Sequence, residues 1–160
     1  MRKVVCLIAC LFFFFISTAS ADNDKATPQD VYDIVLKAYE VVKALGEESF
    51  PAFNDPKGEF VYKDTYVFVQ RCPNQMMAHP FALDKLKDVD LNQFPFNASI
   101  CEAAKQPSGG WLAYMWPKPG ESKPSRKVSF AINVEGTPYT VVAGIYNDTD
   151  TVADLNKTLR

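Results

Sequence analysis

Three β-type runs separated by turn residues fill positions 109–146, and they constrain the fold more tightly than any other stretch of the chain. Gly109-Gly110 precedes a run from Trp111 to Trp116. A loop with three prolines, Pro117 to Ser125, leads to a second run from Arg126 to Val134. There Val128, Phe130, Ile132 and Val134 alternate with polar or small residues, the period-2 pattern of a strand with one buried face. Glu135-Gly136 turns the chain, and Tyr139 to Tyr146 forms the last run. Connections this short join antiparallel neighbours, because a parallel pair needs a long crossover.

The upstream half adds two more strands and the helices. Glu59 to Arg71 is rich in β-branched and aromatic residues, with Tyr66-Val67-Phe68-Val69 at its centre. Cys72-Pro73-Asn74-Gln75 makes a turn, and Met76 to His79 returns as a strand. Thr27 has the chemistry of an N-cap, with Pro28 at the first helical position and Asp30 three residues after the cap. Val31, Ile34, Val35, Ala38, Val42 and Leu45 then recur at helical spacing until Gly46 stops the helix. Pro51 opens a short second helix in which Phe50 and Phe53 pack. Pro80 to Pro95 reads as an irregular crossing, Asn97 to Gln106 as a short helix and Thr149 to Leu159 as a terminal one. The order predicts an α+β domain: an antiparallel sheet of five to six strands with a long N-terminal helix packed on one face.

The first residues point to export. Arg2 and Lys3 precede an apolar run from Val4 to Ile16, and Ala19 and Ala21 occupy the −3 and −1 positions of an A-x-A cleavage site. The run is shorter than the roughly 20 residues a membrane-spanning helix needs. Residues 1–21 are therefore expected to be a signal peptide cleaved after Ala21, leaving residues 22–160 as one periplasmic or secreted domain. Leu7-Ile8-Ala9-Cys10 resembles a lipobox, but it divides the apolar run instead of closing it. Losing Arg2 and Lys3 takes the basic count from 17 to 15 against 19 acidic residues, a net charge near −4. Nucleic acid and anionic membrane surfaces, which need basic patches, are poor partners for such a chain. No second hydrophobic segment is present to hold it in a membrane.

Cys6 and Cys10 leave with the signal, so Cys72 and Cys101 form an even pair in an oxidising compartment, and a disulfide is expected. Two unpaired thiols remain the alternative, since sequence does not show whether the Cα atoms approach within about 7 Å. Only His79 could join them around zinc, and the spacing matches no zinc pattern. Asp148, Asp150 and Asp154, and separately Asp88 and Asp90, lack the spacing and glycine of a calcium loop and read as solvated. No nucleophile motif, phosphate loop or cofactor signature is present, so no enzyme and no cofactor is expected.

Five stretches taken together resemble the Cache domain, the extracytoplasmic sensing module of bacterial chemoreceptors and sensor kinases, and most of all its single-Cache type. They are FNDPKGEFVYKDTYVFVQ (53–70), MAHP (77–80), GGWLAYMWPKP (109–119), RKVSF (126–130) and VVAGIY (141–146), in the family's order across about residues 28–147. The chain departs from the pattern at the CPNQ turn, in FALDKLKDVD after the His-Pro, and at Phe130, where a tyrosine is usual. The resemblance implies a PAS-like sheet with the long helix across one face and a small-molecule pocket on the other, for a short organic acid or an amino acid.

A carboxylate ligand needs a cation or hydrogen-bond donors in an apolar pocket. Lys127 is the candidate cation, sharing a strand face with Ser129 and Ala131; Arg126 is a spare, expected to be exposed. In the motif context His79 faces the ligand, and pairing with a carboxylate would raise its pKa and favour binding at mildly acidic pH. Trp111, Tyr114 and Trp116 offer polar handles on aromatic bodies, although Trp111 points to one strand face and the other two to the opposite one. Tyr66, Phe68 and Met77 are expected to form the pocket floor. Gly144 marks a close approach within its strand, and Tyr146 on the same face is a hydrogen-bond donor. The expected function is a sensor that captures a small carboxylate or amino acid and signals, as in chemotaxis, through a membrane-bound receptor or kinase. The alternative is a structural or interaction protein with a filled, inactive pocket.

Overall fold

A computed structural model describes residues 24–147 and 149–159; the expected signal peptide and Asp148 lie outside them. Helix α1 (Pro28–Leu45) starts with a reciprocal capping box. The Thr27 hydroxyl accepts from Asp30 N at 3.2 Å, and the Asp30 carboxylate accepts from Thr27 N at 2.8 Å. Val31, Ile34, Val35, Ala38 and Val42 are buried along one stripe, whereas Leu45 at the end of the helix stands 52% exposed. A 3₁₀ turn (Gly46–Ser49) and α2 (Phe50–Asn54) follow.

The sheet has six strands: β1 (Val61–Tyr62), β2 (Thr65–Arg71), β3 (Gln75–Ala78), β4 (Gly110–Pro117), β5 (Pro124–Asn133) and β6 (Tyr139–Tyr146). All pairings are antiparallel, in the order β1-β2-β6-β5-β4, with β3 also on β2. The continuous run expected over Glu59 to Arg71 breaks into β1 and β2 at Lys63, which adopts a positive φ of 51°. The expected irregular crossing contains one turn of helix, α3 (Leu83–Leu86), and a 3₁₀ turn (Leu91–Gln93) before α4 (Asn97–Ala104). Helix α5 (Val152–Lys157) is capped by the Thr151 hydroxyl, which accepts from Asp154 N.

Strand alternation sends side chains to two cores. Val67 and Val69, Val128 and Phe130, and Val141, Ala143 and Ile145 face α1 together with Phe53, Phe60 and Trp111. Tyr66, Phe68, Leu112, Tyr114, Ala131 and Val142 face the other way, beneath a cap formed by α3, the 3₁₀ turn and α4. Gly109, the residue before β4, has φ +72°, and a Cβ there would lie 2.6 Å from the Phe130 ring, so only glycine lets the chain enter the sheet at this point. No helix among the described residues is long and apolar enough to cross a membrane.

The two cysteines are joined. Cys72 in the β2–β3 turn and Cys101 in α4 form a disulfide with their Cα atoms 5.8 Å apart. The bond ties the cap to the sheet.

Candidate functional site

Beneath the cap lies a tight cavity of about 30 Å³, room for one or two water-sized groups. Strand β2 contributes Tyr66, Phe68 and Gln70, β3 Met76, β4 Tyr114 and Trp116, and β5 Lys127; His79 follows β3. The cap supplies Leu86, Leu91, Phe94, Phe96, Asn97 and Ile100. Aromatic rings close the cap against the sheet. Phe96 stacks on Tyr114 with centroids 4.6 Å apart, and Phe94 and Phe96 meet Trp116 edge-on at 5.9 and 5.8 Å.

Lys127 is the feature that needs explaining. It is 0% exposed, and its Nζ has no hydrogen-bond partner among the described residues. Three aromatic rings lie beside it: Tyr66 with its centroid at 3.8 Å, Tyr146 at 5.4 Å and Phe68 at 5.7 Å. No acidic side chain is among the residues lining the cavity. Burial therefore pushes the ammonium down to about 7, because the charged form loses its hydration and gains no counter-ion. An uncompensated buried cation is costly, and an anion entering this cavity would supply what it lacks.

His79 is also buried, and its tautomer is set by the backbone. Its Nδ1 accepts from Phe81 N at 3.1 Å and from Ala82 N at 3.0 Å. A nitrogen that accepts two N–H groups cannot carry a proton, so the neutral ring holds its hydrogen on Nε2 and that atom is a donor. Burial first, and the Lys127 charge second, hold the imidazole down at about 3. Asn54 Oδ1 accepts from His79 N at 2.9 Å and fixes the residue to the end of α2. In the unliganded protein His79 is therefore a neutral donor, and the expected rise in its pKa concerns the pocket with a carboxylate bound.

Of the ten expected site residues, six line one cavity: Lys127, His79, Tyr66, Phe68, Tyr114 and Trp116. Met77 does not. Val69 pairs with Ala78 but Gln70 with Met76, so Met77 is the extra residue of a β-bulge. The bulge reverses the alternation upstream of His79: Met76 enters the cavity while Met77 packs against the α1 core. Trp111 likewise packs in the α1 core, tilted against Phe130 with centroids 5.4 Å apart.

Gly144 and Tyr146 stand behind the cavity wall. A Cβ on Gly144 would lie 2.1 Å from Ser129 Oγ, so the close approach there is by the neighbouring strand. The same Ser129 Oγ donates to the Tyr114 hydroxyl at 3.2 Å. Tyr146 donates to Pro117 O at 2.6 Å, and its ring lies beside Lys127. Arg126 is half-buried, with both guanidinium NH2 groups donating to the carbonyls of Asn147 and Asp150, so it fastens the C-terminal segment instead of standing exposed.

Alternation along β2 reaches Gln70 from Tyr66 and Phe68, so that residue was within reach of the sequence pattern. Phe94, Phe96, Asn97 and Ile100 carry no such signal, because the cap that delivers them is largely irregular. No group of three or more His, Cys, Asp or Glu side chains that could hold a metal occurs among the described residues.

Comparison with known proteins converges on the same picture. A family model described as Cache domain matches residues 57–149. The methyl-accepting chemotaxis protein McpP of Pseudomonas putida is 32% identical over 138 residues, covering 79% of this chain but 25% of that protein, so the chain spans a quarter of the relative's length. Among solved structures, a Cache chemosensory domain studied for carboxylic acid recognition superposes with a TM-score of 0.56 at 23% identity, over 76% of this chain and 88% of the other. A periplasmic sensor domain of a chemotaxis protein gives 0.54 at 21% identity, over 76% and 90%. These two likenesses are of fold. A helix-backed antiparallel sheet with a capped cavity on its far face, matched by the family model over more than half the sequence, places this chain in the Cache domain family of sensor domains.

Proposed function

We propose that the protein is an exported sensor domain that binds a short carboxylate lacking an ammonium group. One observation carries this reading: the Lys127 amino group is fully buried in an aromatic cavity with no acidic partner among its lining residues. A carboxylate satisfies it through a charge-assisted hydrogen bond in a site that excludes water. The Nε2–H of His79 is a second donor on the same cavity, available in one tautomer only. Phe68, Leu91, Phe94 and Ile100 suit a short hydrocarbon tail. An amino acid fits less well, because its ammonium would be buried beside Lys127 with no carboxylate to receive it. The relative McpP is a chemotaxis protein, which supports signalling through a membrane-bound receptor or kinase.

Calorimetric titration with acetate, propionate and the matching 2-amino acids tests the assignment. Saturable binding of the simple acids, absent for the amino acids and abolished in Lys127→Met, is the expected result. Binding of the amino acids alone would reject the ligand class. No binding at all, with no small molecule released on denaturation, would favour a structural role with an inactive pocket.

A further inference from the structure

We infer that the Cys72–Cys101 disulfide is a latch on the pocket, so that thiol reduction lowers carboxylate retention without unfolding the sheet. The inference rests on the carboxylate reading for its ligand and on three observations of its own. First, Cys101 lies in α4, which supplies Asn97 and Ile100 to the cavity wall, and Cys72 lies in the turn at the sheet's edge. Apart from the backbone at either end of the cap, the bond is the one covalent link between cap and sheet among the described residues. Second, the other fastenings at that edge are weak individually: the Asn97 side chain donates to Pro73 O, and Leu91 N donates to Asn74 O at 3.0 Å. Third, the latch touches the cavity wall directly. Gln70 Nε2 donates to Cys72 Sγ at 3.2 Å and to Cys101 Sγ at 3.7 Å. Disulfide sulfurs carry no hydrogen, so the amide must present its NH2 to them, and the bond thereby orients Gln70 in the cavity wall.

Lys127 and His79 are at most 4% exposed, so ligand exchange requires the cap to lift. The disulfide fixes the edge beside the β2–β3 turn, leaving the Phe94–Phe96–Trp116 contacts as the edge that opens. Cys72 is the half-buried end of the bond and Cys101 the buried one, so a small dithiol would approach from the Cys72 side. In the exchange the dithiol delivers two electrons and two protons, the S–S bond becomes two thiols, and the reductant closes to its own disulfide. The anchor of α4 is then lost, and the two sulfurs that together orient Gln70 are free to separate.

The test compares oxidised protein, protein reduced with dithiothreitol, and the Cys72→Ser/Cys101→Ser variant, using amide hydrogen exchange and acetate as the binding probe. Cap amides in residues 83–104 should exchange at least tenfold faster in the reduced and variant forms, while β5, β6 and α1 keep their protection. Acetate should dissociate at least tenfold faster from them. Unchanged exchange in the cap overturns the inference, and so does collapse of protection throughout the sheet, which would make the bond a requirement of the whole fold. If oxidised protein fails to bind acetate, the ligand assignment fails, yet hydrogen exchange still decides whether the bond holds the cap.

Discussion

Replacing Lys127 with methionine should stabilise the unliganded protein while destroying its response to carboxylates. The folded ammonium sits at about 7 against an unfolded value of 10.5. At about 1.4 kcal/mol per pH unit, that difference is roughly 5 kcal/mol of penalty on the charged form. The Tyr66 ring, 3.8 Å from Nζ, returns up to about 2 kcal/mol. Lys127→Met keeps the length of the stem, removes the charge and should gain about 3–5 kcal/mol at pH 6, equivalent to roughly 10 °C or more in Tm for a domain of this size.

The pH dependence has a definite sign. Between about 7 and 10.5 the unfolded lysine holds a proton that the folded one has released, so wild-type stability rises with pH through that window; below it the penalty is complete. The difference in stability between variant and wild type should therefore be largest near pH 6 and shrink by about 2–3 kcal/mol by pH 9. Taking that difference cancels the other titrating groups. Urea unfolding of both proteins at pH 6 and 9, with and without acetate, provides the check. A variant less stable than wild type at pH 6, or parallel pH profiles for the two proteins, would refute the idea that a buried, unpaired cation sits in the cavity.

Three further outcomes follow from the same geometry. Acetate affinity should fall about fiftyfold between pH 7 and 9, since only the protonated fraction of Lys127 binds, but by no more than about twofold between pH 6 and 7 because His79 stays neutral; calorimetry across that range measures both. His79→Phe preserves the stacking surface against Phe68 but leaves the Phe81 and Ala82 amides without their acceptor. It should cost about 2–4 kcal/mol in urea unfolding. Gly144→Ala drives a methyl into Ser129 Oγ and Val128 O. It should lower stability by at least about 1–3 kcal/mol, read as a drop in Tm, with Ser129→Gly in the same chain recovering part of the loss.

Local chemistry was legible from the chain by itself. The Thr27 cap, the apolar stripe through Val42 and the alternation along β5 set helix, strand and class, because each depends on neighbours within a few residues. Alternation also put Lys127 on the face opposite Val128 and Phe130, where the structure has it. Leu45, Met77 and the break at Lys63 were not legible, because each turns on which partner the chain meets. A one-residue bulge against β2 exchanges Met77 for Met76, and no period in the sequence announces it. Tertiary structure alone decided that Lys127 has no counter-ion among the described residues, since a missing partner is a property of every segment that converges on the cavity. It alone decided the tautomer of His79, which two amides from the following turn impose, and it brought Phe94 and Phe96 down over Tyr114 and Trp116 from a cap without a repeating pattern.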